Sequence, residues 1–503
     1  MEFIEKDRIQ FEKMDITSRE VNAQLNFFKN GFPHVKLLKP ATLNNGIIKL
    51  LKPEEKKYIQ IYNTNAKNKK IIKFVPASGA ATRMFKPFYD FLDNPKKNNL
   101  DSFIKQIHKI AFYDDLKKSL LKKSKNINAL LKNRDYTLII NEILSNYGLN
   151  YKNLPKGLIK FHKYSNFSRT AFEEHIIEAF DFCKGKNNEV HVHFTISPEH
   201  DDEFRKIEKQ ILNSLDKSIK IKLFISYSNQ NKNTDTLAVD TNNKPFRLKN
   251  GSLYFRPGGH GALLKNLNTI NGDVIFIKNI DNIAHEKFLK TNSYYKKILG
   301  GYLIDLKQKI NQYIELLEGN IIDKDLLKEV SQFMQEKCLI NIPEYIYNEP
   351  IEKLKKYCYE KLNRPVRICG MVKNEGQPGG GPFWVKHKNN SISLQIIESA
   401  QIDKNDKTQT NIFQQSTHFN PVDIVCNIKN IENINYNLFN FRDNTTGFIS
   451  KKTFEGDDIK ALELPGLWNG SMANWITVFI EVPKETFNPV KTIFDLLNKG
   501  HLS

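Results

Sequence analysis

The stretch KFVPASGAATRMFKPFYDFL, Lys73 to Leu92, decides how the chain is read. An apolar run, Ile71 to Val75, has the length and composition of a buried β-strand. It breaks at Pro76 into small residues, Ala77, Ser78, Gly79, Ala80 and Ala81, followed by Thr82 and Arg83. From Met84 to Leu92 the apolar spacing is that of a helix. Small side chains in such a loop let backbone N–H groups approach an anion, and Arg83 places a forked donor beside them, which suggests a phosphate cradle. An ordinary strand-to-helix turn carrying a surface arginine is the alternative reading of the same residues.

Outward from this stretch, apolar β-rich runs recur at EVHVHFTI (189–196), IKLFISYS (221–228), SLYFR (252–256) and DVIFIKNI (273–280), separated by helical periodicity. That alternation predicts an α/β sheet. Four ranges follow: an N-terminal helical lead-in, 1–70; an α/β core, 71–300, with a helical insertion at 98–147; a helical segment, 301–365; and a C-terminal region, 366–503, returning to strands at RICGMV, SISLQIIE and WITVFIEV. Leu303, Leu306, Ile310, Tyr313 and Leu317 give the helical segment its apolar face.

With 503 residues and 40% hydrophobic composition, the chain can bury a sizeable core. Its formal charge of +20 comes from lysines spread along the whole length. The densest tract, DLKKSLLKKSKN (115–126), has leucines at helical spacing and reads as a solvated helix face, so nucleic acid is not the expected partner. No run has the length and apolarity of a membrane span and the N-terminus is charged throughout, so no membrane is expected and the cytoplasm is the expected location. Five scattered cysteines without a CxxC pair indicate neither a disulfide framework nor a zinc ribbon.

Downstream, LPKGLIKFHKYSNFSRTAFEEHIIEAF (154–180) places Pro155 and Lys156 before a helix bearing Glu174 and His175. The order of small-residue loop, Thr82-Arg83, Pro155-Lys156 and Glu-His helix resembles the sugar nucleotidyltransferases, or nucleoside-diphosphate-sugar pyrophosphorylases. In that family the loop runs Gly-Gly-x-Gly-Thr-Arg; here Ser78-Gly79-Ala80-Ala81-Thr82-Arg83 departs from it at two glycines, and the insertion separates the halves more than usual. Two further stretches fall in the family's order. LYFRPGGHGALL (253–264) looks like the base-contacting glycine loop of UDP-sugar pyrophosphorylases, implicating Pro257, Gly258, Gly259, His260 and Gly261. DVIFIKNIDNIAH (273–285) resembles their strand ending in Asp-Asn, with Asp281 at a strand's C-terminal end, where a carboxylate can hold Mg²⁺ against phosphates.

The resemblance implies a glycosyltransferase-A-like, Rossmann-like nucleotidyltransferase fold: a mixed sheet with helical insertions and a C-terminal α+β extension. It implies an enzyme joining a nucleoside triphosphate, UTP-like by the RPGGHG loop, to a sugar 1-phosphate with Mg²⁺ or Mn²⁺. Arg83 and Lys156 would be catalytic, and residues 77–82 and 257–261 would bind nucleotide. Glu398, similar to the family's sugar-contacting glutamate, Gly380 and Lys452 would face the sugar or its phosphate; a strained hairpin beside Trp384 and a solvent-facing lysine are the alternatives for the last two. Asp423, in a loop before a strand, is a candidate second metal ligand. His191 and His193, two apart on one strand and followed by PEHDD, form a conceivable transition-metal site, read here instead as a central strand feeding a polar loop. A glycosyltransferase on the same kind of sheet and a non-catalytic nucleotide-sugar or nucleic-acid binder remain as rival functions. The oligomeric state is left open. Over its full length the chain resembles a bacterial family of unknown function.

Overall fold

Ile71–Pro76 forms the expected strand, and its side chains are buried from Ile71 to Val75 on both faces, as in a sheet covered by helices on either side. This comes from a computed structural model that describes residues 3–96, 100–214, 221–319, 324–376, 379–387 and 389–503. The expected start of the helical insertion at 98 lies outside the described residues. The chain forms two compact units, each discontinuous in sequence.

The second unit comprises residues 63–229, 276–297 and 483–503. In it Ile71–Pro76 pairs in parallel with Glu189–Ile196, and that strand in parallel with Lys222–Asn229. On the other side of Ile71–Pro76, Lys278 N–H donates to Phe74 O and Ile280 N–H to Pro76 O. The helix after the small-residue loop runs Lys86–Asp93 and begins two residues later than its apolar spacing predicts, because Pro87 is tolerated only in a first turn. The insertion is helical at Tyr113–Lys122, Ile127–Lys132 and Tyr136–Leu144. In the first of these Leu116 and Leu120 are buried but Leu121 is exposed. Thr170 and Glu173 form a reciprocal capping box that starts the helix Ala171–Phe182.

One buried carboxylate ties these parts together. Glu178, on Ala171–Phe182, accepts from Lys73 of the central strand at 2.6 Å and from Lys278 at 2.9 Å, and pairs with Lys296 at 3.3 Å. Burial alone would push its carboxyl up, but the three ammonium groups outweigh that and hold it well below the usual range.

The first unit comprises residues 1–62, 230–275 and 298–482 and holds a mixed sheet. Val366–Met371 runs parallel to Ile476–Glu481 and antiparallel to Asp423–Asn427. Gly46–Ile48, a strand in the segment read as helical lead-in, joins in parallel beside Ile476–Glu481. Two antiparallel sheets complete the unit: Lys36–Pro40 with Gly381–Lys386 and Ile392–Ile397, and Phe255–Pro257 with Asp235–Asp240, Asp457–Glu463 and Phe448–Phe454. The N-terminal helices pack Phe11, Val21, Leu25 and Phe28 on the latter. Leu303, Leu306, Ile310, Tyr313 and Leu317 are all buried. No helix among the described residues is long and apolar enough to cross a membrane.

Removing the charge of Glu178 strands three buried ammonium groups, so Glu178→Gln is expected to lose about 3–5 kcal/mol of unfolding free energy in a urea titration. Acid should act similarly. His162, His175 and His501 are buried and their imidazoles pushed down, His501 to about 3, so the unfolded chain binds protons that the folded chain refuses. Glu174, pushed up to about 7 by burial, acts in the opposite sense, as do the raised carboxyls of Asp235 and Glu398. Stability is therefore expected to fall as pH drops below about 6.5, measured as Tm against pH.

Candidate functional site

The small-residue loop leaves the C-terminal end of Ile71–Pro76. Its root is fixed: Ala77 N–H donates to Thr195 O at 2.9 Å, and Ala77 and Ala81 are fully buried. Ala80 bridges Pro155, and Lys156 N–H donates to Gly79 O at 3.2 Å, so the loop and the Pro-Lys segment, 70 and more residues apart in sequence, meet as the reading requires. Gly79, Ala80, Thr82 and Arg83 are exposed. The Arg83 side chain makes no hydrogen bond or ion pair among the described residues, while its carbonyl accepts from Lys86 N–H at 3.3 Å.

Lys156 is buried in a single 3-10 turn, Lys156–Leu158. Its Nζ donates to Asp281 Oδ2 at 2.9 Å and to Val490 O at 2.8 Å. Burial pushes the ammonium's pKa down, Asp281 works against that shift, and Lys491 and Arg83 add to it. Asp281 lies one residue past the segment that hydrogen-bonds to Pro76, which sets it beside the loop's root. The helix supports it from behind, since His175 Nε2–H donates to Ile280 O at 3.2 Å.

Lys491, which the sequence reading missed, donates to the same Asp281 Oδ2 at 2.9 Å. The C-terminal segment carrying it is held by Val490 N–H on Asp281 O and Ile493 N–H on Met84 O, both 2.9 Å. Asp281 is 7% exposed, and burial would raise its carboxyl, but Lys491 and Lys156 hold it below the usual range. Its Oδ1 has no hydrogen-bond partner among the described residues. A buried carboxylate oxygen left free in this way fits a divalent cation of the Mg²⁺ type, which commonly takes one or two carboxylates and completes its shell with phosphate and water. Among the described residues no group of three or more His, Cys, Asp or Glu side chains could hold a metal by themselves.

The other implicated residues lie in the first unit, and several gather there around Glu463, also absent from the sequence reading. Gly259 sits against Glu463 Oε2 with φ +73°, a conformation that favours glycine. Lys452 Nζ is 3.7 Å from Glu463 Oε1, and Ser450 Oγ donates to the same oxygen at 3.2 Å. Burial first, and then the charge of Glu463, push the Glu398 carboxyl up. Gly380 packs against Ile397 O, one residue before Glu398. Asp423 opens the strand Asp423–Asn427 opposite Gly370. The His260 ring is tilted against Trp468, ring centroids 4.6 Å apart.

His191 and His193 have structural partners. His193 uses both ring nitrogens on Ser226 and Ser228, at 2.9 and 2.8 Å, and His191 meets Glu189 at 3.0 Å.

The model of the family described as a domain of unknown function (DUF4301) matches residues 4–502. The chain belongs to that family. No curated protein matches it. Among solved structures it is similar to the uridine diphosphate N-acetylglucosamine pyrophosphorylase of Trypanosoma brucei in complex with an inhibitor, at 13% identity and TM-score 0.46, covering 95% of this chain and 74% of that one. It is also similar to a mutant UDP-glucose pyrophosphorylase of Leishmania major in complex with UDP-glucose, at 11% identity and TM-score 0.44, covering 98% and 77%. Likeness at this level assigns no activity to the chain.

The two glycine loops differ in a testable way. A Cβ added at Gly79 meets nothing within 4 Å, whereas one at Gly261 runs into Pro465 O and the Leu464 side chain. Gly79→Ala is therefore expected to leave Tm unchanged, and Gly261→Ala to lose about 1–3 kcal/mol, both read by thermal and urea unfolding.

Proposed function

We propose that the chain is a nucleotidyltransferase that joins a nucleoside triphosphate to a sugar 1-phosphate and releases pyrophosphate. The observation that carries the reading is the pair of ammonium groups, Lys156 and Lys491, on one oxygen of a buried carboxylate whose other oxygen is free, beside an open small-residue loop. Such a site offers cations to phosphates and a carboxylate to the metal that accompanies a triphosphate. The sequence resemblance assigns the same positions, Arg83, Lys156 and Asp281, to that chemistry.

In the proposed reaction an oxygen of the sugar phosphate attacks the α-phosphorus, and the bond from that phosphorus to the bridging oxygen of the β-phosphate breaks. The pyrophosphate leaves with the bond's electron pair. No covalent intermediate is needed, only alignment and neutralisation of charge. The exposed N–H groups around Gly79 would cradle the nucleotide phosphates, and Arg83 would hold the β- and γ-phosphates. Lys156 would lie between the α-phosphate and the acceptor phosphate, and Lys491 would turn from Asp281 to the departing pyrophosphate. Asp281 would hold Mg²⁺ or Mn²⁺, which supplies charge neutralisation to the triphosphate when bound. For the base, a pyrimidine, the sequence resemblance implies the Pro257–Gly261 loop, and for the sugar or its phosphate Glu398, Gly380 and Lys452.

The test is a panel of triphosphates against sugar 1-phosphates with pyrophosphate release as readout. Turnover is expected with at least one pair, strongest with UTP, and abolished by excess chelator. Lys156→Ala is expected to lose about 10²–10³ in kcat. Lys160→Ala removes the same charge four residues on from a half-exposed pair with Asp115 and is expected to change little. No pyrophosphate from any pair with the folded protein, or equal loss in both lysine variants, would remove the assignment.

A further inference from the structure

In the first unit a cavity of about 510 Å³ lies where two parallel strands begin, lined by Lys361 and Arg364 just before Val366–Met371 and by Asn474 and Trp475 just before Ile476–Glu481. It is thus at the opposite end of these strands from Met371 and Glu481, their C-terminal ends, six residues or about 20 Å away. Its size is that of a small-molecule site.

The cations on its wall make no ion pair among the described residues, and Glu360 acts on both only through space. The Lys361 side chain makes no hydrogen bond or ion pair among the described residues; its Nζ lies over the Tyr357 ring, 5.3 Å from the centroid. Burial, with help from Arg364, pushes its ammonium down to about 8. Arg364 donates from Nε to Glu360 O at 2.8 Å, capping the helix Ile351–Leu362, and from NH1 to Asn474 O at 3.3 Å, and it too has no carboxylate partner. These two carbonyls fix the guanidinium and leave further N–H donors uncommitted. His387 adds a ring whose Nε2 meets Ser393 Oγ at 2.6 Å, both groups lining the cavity. Among the described residues Asp443 is the one carboxylate on the wall, and its Oδ1 accepts from the N–H and hydroxyl of Thr445. Lys361 and Arg364 are two half-buried cations side by side, and although the Glu360 charge acts on both, neither is in a direct ion pair among the described residues, which leaves part of their lost solvation unreplaced. The helix end accounts for Arg364 but not for Lys361.

We propose that this cavity is a binding site for a phosphomonoester of sugar size, with the phosphate between Lys361 and Arg364 and the remainder over the apolar wall of Ile392, Trp475 and Ile476. A fixed guanidinium beside an ammonium suits phosphate geometry, and the volume exceeds what inorganic phosphate fills. The site does not depend on the nucleotidyltransferase reading, since it shares no residue with Lys156, Asp281 or Lys491.

Calorimetric titration of the full chain with ribose 5-phosphate, inorganic phosphate and ribose tests it. Ribose 5-phosphate is expected to bind saturably and more tightly than phosphate, and ribose not at all. Equal binding of phosphate and ribose 5-phosphate would reduce the site to one for the free anion and overturn the proposal. Lys361→Met and Arg364→Gln are each expected to weaken ribose 5-phosphate at least about tenfold, while Lys156→Ala and Lys356→Met leave it unchanged. Loss in Lys156→Ala with none in Lys361→Met would place the anion at the other site and overturn the proposal. Equal loss in Lys356→Met, an exposed lysine on the same helix, would show only general attraction to a basic surface. Lys361→Met should fold with an unchanged or higher Tm, because it removes an unpaired, desolvated charge. If it unfolds instead, Lys361 serves the fold and the proposal fails.

Discussion

Glu178 is the constraint on which the second unit is built. Its carboxylate stands between the central strand, through Lys73, and the segment leading to Asp281, through Lys278, and it is itself carried by the helix behind them. A lysine in the middle of a strand buried on both faces would be intolerable without such a partner. The pairing also fixes register: the strand, the helix and the 276–280 segment cannot slide past one another without separating buried charges. The ends of those elements, where the small-residue loop and Asp281 stand, inherit that rigidity, and the His175 hydrogen bond to Ile280 O extends it to the residue next to Asp281.

At Asp281 the same physics is arranged differently. One oxygen is shared by two ammonium groups and the other has no partner, so the free site is close to internal balance but not saturated. Lys156 is buried and has a carbonyl as its second acceptor, whereas the Lys491 side chain is half exposed. The two are therefore unequal: Lys156 is held in place, and Lys491 can move at small cost in solvation. In the proposed reaction this asymmetry lets one cation stay as a fixed donor while the other follows the charge that leaves.

The strands were legible from two patterns, the near-continuous apolar run of IIKFV, a mark of burial on both faces, and the alternation of EVHVHFTI; EVHVHFTI is a strand over its whole length and IIKFV over all five residues. The loop was legible from its small residues at a strand end, while Lys156 and Asp281 were legible only through their order in the resemblance to the sugar nucleotidyltransferases, and the structure brings these three together. Lys491 was not, being one of many lysines and 210 residues from its partner, with only the preceding Pro489 echoing the Pro155-Lys156 pattern. Glu463 was hidden for a similar reason: nothing local distinguishes it, and it matters only because Gly259, Lys452 and Glu398 converge on it. The strand Gly46–Ile48 is too short to leave a pattern of its own.

Glycine is the residue type for which sequence and structure differ most in what they say. RPGGHG and ASGAAT look alike as ligand loops, yet the structure gives them different reasons for their small residues. Gly258, Gly259 and Gly261 are each pressed against Thr234 O, Glu463 or Pro465 O, so the fold itself requires them whatever the loop binds. Gly79 has no such neighbour and its backbone does not lie in the left-handed region, so neither packing nor conformation calls for glycine there. The fold is thus indifferent to a methyl group at this exposed position, one strand end away from a buried Asp–Lys pair, and in the proposed reaction the open space beside it is where the nucleotide phosphates would lie. The alanines on either side separate into the same two roles: Ala77 and Ala81 are buried and anchor the loop, while Ala80 is exposed with Gly79 at its crest. Small residues at the root are thus accounted for by packing, and small residues at the crest by access.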